Sequence, residues 1–144
     1  MGYNAAPDGW WQEFVDATPA RTAKLATVRK DGSPHLVPVW AARDGEQVVF
    51  MTSAETVKGR AILRDGRVSL CWDNELPPFD FVTIDGTTTT STDPNELLEW
   101  ATRIAARFMG DALAEQYGLR NAVPPEMVVR VTPTRVTART AIAD

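Results

Sequence analysis

The chain has 144 residues, 44% of them hydrophobic, and a net charge of −4 with a pI near 5.0, which fits one domain, 1–144, with a real core and argues against nucleic acid, whose binders present a basic face. A single cysteine, Cys71, excludes an internal disulfide framework and a cysteine metal cluster, and fits a reducing compartment. No apolar run approaches the roughly 20 residues that span a bilayer, and MGYNAAPDGWW lacks the basic and apolar regions of a signal peptide, so the expectation is a cytoplasmic protein without membrane contact.

Residues Gly9–Ala17 place Trp10, Trp11, Phe14 and Val15 at helical spacing. Lys24–Arg29 alternates as a strand and turns over Lys30–Ser33. Pro34–Arg43 reads as the next strand, and Pro38, which cannot donate to a ladder, marks it as an edge or a bulge. A third strand follows at Gln47–Thr52, a short helix at Val57–Arg64 and a fourth strand at Arg67–Trp72. Asp80–Thr92 is a long fifth strand. Three Asp-Gly pairs, at Asp31, Asp44 and Asp65, sit between runs as tight turns, whereas Asp85-Gly86 interrupts a run and predicts a bulge or bend. Asp93 reads as an N-cap with Pro94 at the first helical position. Asn95–Met109 then carries an apolar stripe of Leu97, Leu98, Ala101, Ile104, Ala105 and Phe108. Gly110 ends that helix and leaves Asp111–Tyr117 as a candidate continuation. Met127–Thr132 and Thr134–Arg139 close the chain as two strands broken by Pro133. The fold class is mainly β (α+β): an antiparallel barrel with peripheral helices. Parallel βαβ repeats are absent, which excludes a Rossmann fold.

The chemistry concentrates in Met51–Trp72. Thr52, Ser53 and Thr56 offer hydroxyls, and Lys58, Arg60 and Arg64 offer charge beside a helix start, the makings of a phosphate cradle. A solvated basic helix is the competing reading. Trp40 and Trp72, on flanking strands, either wall a planar ring or pack in the core, and Trp10, Trp11 and Trp100 read as helix-face core. Phe79 and Phe81 follow the stiff Glu75–Pro78 loop, which suits a dimer contact or a ligand lid. The single histidine, His35, lies on a strand, away from any nucleophile elbow, and reads as a strand polar group or a cofactor-side contact. With no metal-ligand cluster, Walker loop or G-x-G-x-x-G, the remaining enzyme classes are those in which an organic cofactor performs the hard step.

Three segments, TAKLATVRKDGSPHLVPVW at Thr22–Trp40, VKGRAILRDGRVSL at Val57–Leu70 and FVTIDGTTTTSTDP at Phe81–Pro94, together with VVRVTPTRV at Val128–Val136, resemble the split β-barrel flavin and deazaflavin oxidoreductases. That superfamily includes pyridoxamine 5′-phosphate oxidase, and the closer likeness is to its actinobacterial branch that uses the deazaflavin coenzyme F420. The resemblance implies a phosphate-binding pair at Lys58 and Arg60, flanking Gly59, with Thr52 and Ser53 on the preceding strand end. It implies that Val37, Pro38, Val39 and Trp40 lie under the tricyclic ring. It also implies that Pro78, Phe79 and Phe81 complete the pocket of the opposite protomer in a homodimer with cofactor sites at the interface. Many relatives read K-x-R-N-L where this chain has Lys58-Gly59-Arg60-Ala61-Ile62, which removes one polar contact. The function so implied is hydride transfer from reduced F420 to a small-molecule acceptor such as a conjugated enone or a quinone, with solvent as the proton source. The alternatives are an FMN-dependent oxidase or reductase of the same superfamily, and a cofactor-binding or storage protein without turnover.

Overall fold

A computed structural model describes residues 4–143 of the chain. In chain order the elements are β1 (Asn4–Ala5), α1 (Trp10–Asp16), β2 (Ala23–Val28), β3 (Pro34–Val39), β4 (Ala41–Asp44), β5 (Gln47–Ser53), α2 (Val57–Arg64), β6 (Arg67–Asp73), β7 (Phe81–Ser91), α3 (Pro94–Met109), α4 (Asp111–Asn121) and β8 (Glu126–Thr140). The strands form one antiparallel sheet in the order β3-β2-β6-β7-β8-β5-β4, and β1 pairs with the end of β8. The fold is therefore mainly β, as the strand count and turn spacing imply.

The two outermost strands of this sheet, β3 and β4, are consecutive in sequence and separated by Trp40 alone. One residue cannot bridge an open sheet, so the sheet curls until its edges meet at Trp40. This corrects the expected single strand Pro34–Arg43. Its first half pairs with β2, Val37 opposite Leu25, and its second half pairs with β5, Ala42 opposite Val49. Pro38 lies on the edge strand β3, opposite Lys24, the kind of strand to which proline is confined in sheets.

A second correction concerns Pro133, which does not break the last strand. The ladder between β7 and β8 slips there: Asp85 faces Arg135 and Gly86 faces Pro133, leaving Thr134 as the extra residue. Thr134 Oγ1 donates to the Asp85 carbonyl at 3.1 Å. The irregularity expected at Asp85-Gly86 is thus a bulge that also absorbs the proline. A Cβ on Gly86 would stand 2.6 Å from the Thr132 carbonyl oxygen and 2.7 Å from Val131 Cγ1, so this crossing requires glycine.

Alternation sorts the side chains into two cores. The inner one is built from Leu25, Phe50, Leu70, Trp72, Ile84 and Val129, each fully buried. The second lies on the outer face of β4, β5 and β8, where Ala42, Val49 and Val128 meet Leu97, Trp100 and Ile104 of α3. It draws on no residue of β2, β3, β6 or β7. The outer surface of that half of the barrel presents Leu36, 66% exposed, beside Ala26. No helix among the described residues is long and apolar enough to cross a membrane.

Candidate functional site

Where the seam meets the edge of α3 there is a cavity of about 280 Å³. One wall is apolar: Pro38, Val39 and Trp40 from the seam, Met51 from β5, and Ala101 and Ile104 from α3. Trp40 is fixed by stacking on Phe108, with ring centroids 5.1 Å apart and planes within 1°. The polar part of the lining is Lys58, Asn121 and Glu126.

Lys58 enters the cavity because of how α2 begins. Thr56 is its N-cap: its hydroxyl accepts the Gly59 N–H at 3.0 Å and donates to the Ser53 carbonyl at 2.8 Å. Thr52, almost fully buried, places its hydroxyl 3.0 Å from that of Thr56. Ser53 Oγ accepts the Glu55 N–H at 3.1 Å. These hydroxyls therefore build the strand-to-helix corner. Gly59 is buried against Ser53, and a Cβ there would overlap the Ser53 carbonyl oxygen, so α2 can approach β5 this closely only with glycine. The corner leaves Lys58 half-buried in the cavity and Arg60 exposed outside its lining. Arg64 is engaged elsewhere, its guanidinium donating to the Val28 carbonyl at 3.0 Å.

Glu126 opens β8 directly opposite Ser53 in the ladder. Burial pushes its carboxyl above the usual range, and the nearby charge of Lys58 pulls partly the other way. No ion pair within 4.0 Å joins the two among the described residues, so the Lys58 ammonium remains available to an anion.

The aromatic pair of the Glu75–Pro78 region lies in a different place. Phe79 and Phe81 line a second, open cavity of about 600 Å³ with Lys24, Cys71, Asp73 and Glu75. Lys24 and Asp73, both in its lining, form an ion pair at 2.9 Å. Phe79 is 41% exposed and holds φ at 63°, an unusual conformation for a bulky side chain. Pro78 turns its carbonyl inward, accepting the N–H groups of Ile142 and Ala143 at 3.0 and 3.2 Å.

Of the residues singled out from sequence, Pro38, Val39, Trp40 and Lys58 converge on the seam cavity. Val37 packs against the inner core, Thr52, Ser53 and Gly59 support the corner, Arg60 stands in solvent, and Phe79 and Phe81 form the second cavity. Trp72 is fully buried in the inner core and walls neither cavity. His35 lies opposite Thr27 in the ladder between β2 and β3, outside the seam cavity. Sequence reasoning passed over Met51, Ala101, Ile104, Asn121 and Glu126. Ala101 and Ile104 were visible only as part of a helix stripe, and nothing local marks Asn121 or Glu126. Among the described residues no group of three His, Cys, Asp or Glu side chains is placed to hold a metal ion.

Chemically, the seam cavity offers one cation, one carboxylate and an amide within an otherwise apolar lining. Its volume is at the lower limit of ligand pockets, about 300 Å³. It suits a small anionic group beside apolar surface.

The model of one protein family, described as pyridoxamine 5′-phosphate oxidase, matches residues 11–140. No curated protein sequence matches the chain. Among solved structures, a conserved hypothetical protein of Mycobacterium tuberculosis is similar with a TM-score of 0.84 at 22% identity, covering 98% of this chain and 89% of that one. An F420 reductase is similar with a TM-score of 0.69 at 24% identity, covering 91% and 98%. A FAD-binding protein of Mesorhizobium loti is similar with a TM-score of 0.68 at 18% identity, covering 96% and 98%. At these identities the likeness is one of fold.

Proposed function

The chain belongs to the pyridoxamine 5′-phosphate oxidase family, and from that premise we propose that it is a reductase that takes hydride from reduced coenzyme F420 and delivers it to an electron-poor organic acceptor, such as a conjugated enone or a quinone. The observation that carries this reading is the convergence of Lys58 with Pro38, Val39 and Trp40 on one cavity. A half-buried cation without a close ion pair suits the phosphate of a ribityl-phosphate tail. The stacked Trp40 and the edge-strand Pro38 give a rigid apolar shelf beside it for a planar ring. One neighbour of this fold is an F420 reductase and another binds FAD, which favours a flavin-type cofactor.

When bound, the reduced deazaflavin supplies the hydride. This chain's contribution is to bind and to orient. Lys58 anchors the tail, Thr56 and Gly59 fix the helix start that aims it, and Val39 and Trp40 exclude water from one face. The cavity is too small for the whole cofactor, so Pro38 and Trp40 of the seam, at the border of the barrel half that α3 leaves uncovered, would hold the ring. We place a second copy of the chain on that half, as part of the same proposal. Leu36 and Ala26 give it an apolar outer face, and the partner's copy of the Phe79–Phe81 segment would cover the ring.

The test is titration of purified protein with oxidised and reduced F420 by fluorescence quenching. Saturable binding of both forms, with acceptor-dependent reoxidation, is the expected result. A protein that binds neither form refutes the reading. One that purifies yellow, with a bound FMN spectrum, replaces F420 with FMN in the same site.

A further inference from the structure

The seam cavity has a second ionisable group that anion binding does not explain. Glu126 faces it from β8, and it and Lys58 are the titratable side chains in its lining among the described residues. The other elements packed there contribute neutral groups: Met51 from β5, Ala101 and Ile104 from α3, and Asn121 at the end of α4. An anion drawn in by Lys58 therefore shares a small, partly dry cavity with a carboxylate. Each negative charge brought into the cavity is repelled by Glu126, so the carboxylate weighs about twice as heavily on a dianion as on a monoanion and offsets more of what Lys58 contributes to holding it.

We infer that Glu126 makes this site select a phosphodiester tail, with one negative charge at phosphorus, over a phosphomonoester tail with two. The inference rests on the assignment of Lys58 as the phosphate anchor. It deepens that assignment, because the two candidate cofactors differ in this respect. The ribityl phosphate of F420 continues as a diester into its side chain, whereas that of FMN ends as a monoester that is dianionic at pH 8. Glu126 thus sets which cofactor class the barrel takes, without touching the ring. Burial raises the carboxyl, so on acidification the discrimination fades at a higher pH than it would for an ordinary carboxylate.

The experiment is fluorescence titration of F420 and of FMN at pH 8 against the full chain and against Glu126→Gln. Wild type binds F420 more tightly. The substitution raises FMN affinity roughly tenfold, the order expected on removing one like charge from a shared cavity, and leaves F420 within about threefold. Glu126→Ala, which deletes the charge without adding an amide, produces the same change in ratio. Competition by methyl phosphate and by dimethyl phosphate reports the same discrimination without either ring. Equal shifts for both cofactors, or no shift, overturn the inference while leaving the Lys58 anchor standing. Absence of any binding to wild type removes the anchor, and the inference with it.

Discussion

A methyl group on Gly59 would run into the Ser53 carbonyl, and no flexible side-chain end is there to yield. Gly59→Ala should therefore cost about 1–3 kcal/mol, measured by urea denaturation, as overpacking against backbone does. The helix that carries Lys58 would be displaced with it. Lys58 and Arg60 are two positions apart, which turns their side chains by about 200° around a helix axis. Lys58 lines the cavity and Arg60 does not. Lys58→Ala should accordingly weaken F420 binding by about 1.5–3 kcal/mol, the strength of one charge-assisted hydrogen bond, while Arg60→Ala changes it by less than about 0.5 kcal/mol. Equal losses would put Arg60 back in the site. At this scale the sequence showed the cations and the hydroxyls but not their division of labour. Thr52 and Thr56 have the chemistry of phosphate donors, and the corner engages them internally. Glu126 could not be read at all, since a lone carboxylate at a strand start becomes part of a site only when β8 lies beside β5.

The helix that roofs the cavity, α3, is held at both its start and its flank. Asp93 caps it, its carboxylate accepting the Glu96 N–H at 3.3 Å, and Pro94 sits in the first turn. Arg130 then ties it to the sheet, donating to Glu96 at 3.1 Å and to Asp44 at 2.7 Å from the outer face of β8. Ser91 and Arg130 hold the Glu96 carboxyl below its ordinary range. Asp93→Ala should lower stability by about 1 kcal/mol in thermal or urea unfolding, with the loss concentrated in amide exchange of the first turn of α3. Elements with local signatures were legible: the Asp-Pro cap, the short helix at Val57–Arg64, and the Asp85-Gly86 interruption. Those whose form depends on a distant partner were not. Pro133 looked like a strand break because the slip that accommodates it involves Gly86, which is remote in sequence. The run Pro34–Arg43 looked like one strand because nothing in its own pattern says that its halves pair at opposite edges.

For the whole molecule, the uneven cover of the barrel is the informative property. One half carries α3 and the second core, and the other presents Leu36, 66% exposed, with the open cavity of Phe79 and Phe81 at the start of β7. The proposed dimer predicts sedimentation at twice the chain mass. Leu36→Arg on the exposed face should shift the protein toward monomer and weaken F420 binding in parallel, because the ring would lose its cover. A variant that became monomeric and still bound F420 at full strength would confine the site to one copy.

Topology also dictates the order in which this barrel can be completed. An interior strand of the sheet, β8, follows all the other strands in the chain, yet it joins β7 to β5. Before it arrives, β2 with β3, β4 with β5, and β6 with β7 can form as local hairpins, the first two across short turns and the third across the loop 74–80. They cannot become a closed wall, and β5 and β7 present bare edges of the kind that invite pairing with another chain. During synthesis on the ribosome, the exposed interval lasts while α3, α4 and the residues of β8 are still being made. The keystone strand also carries Glu126, so the cavity gains its last wall in the same event that closes the barrel.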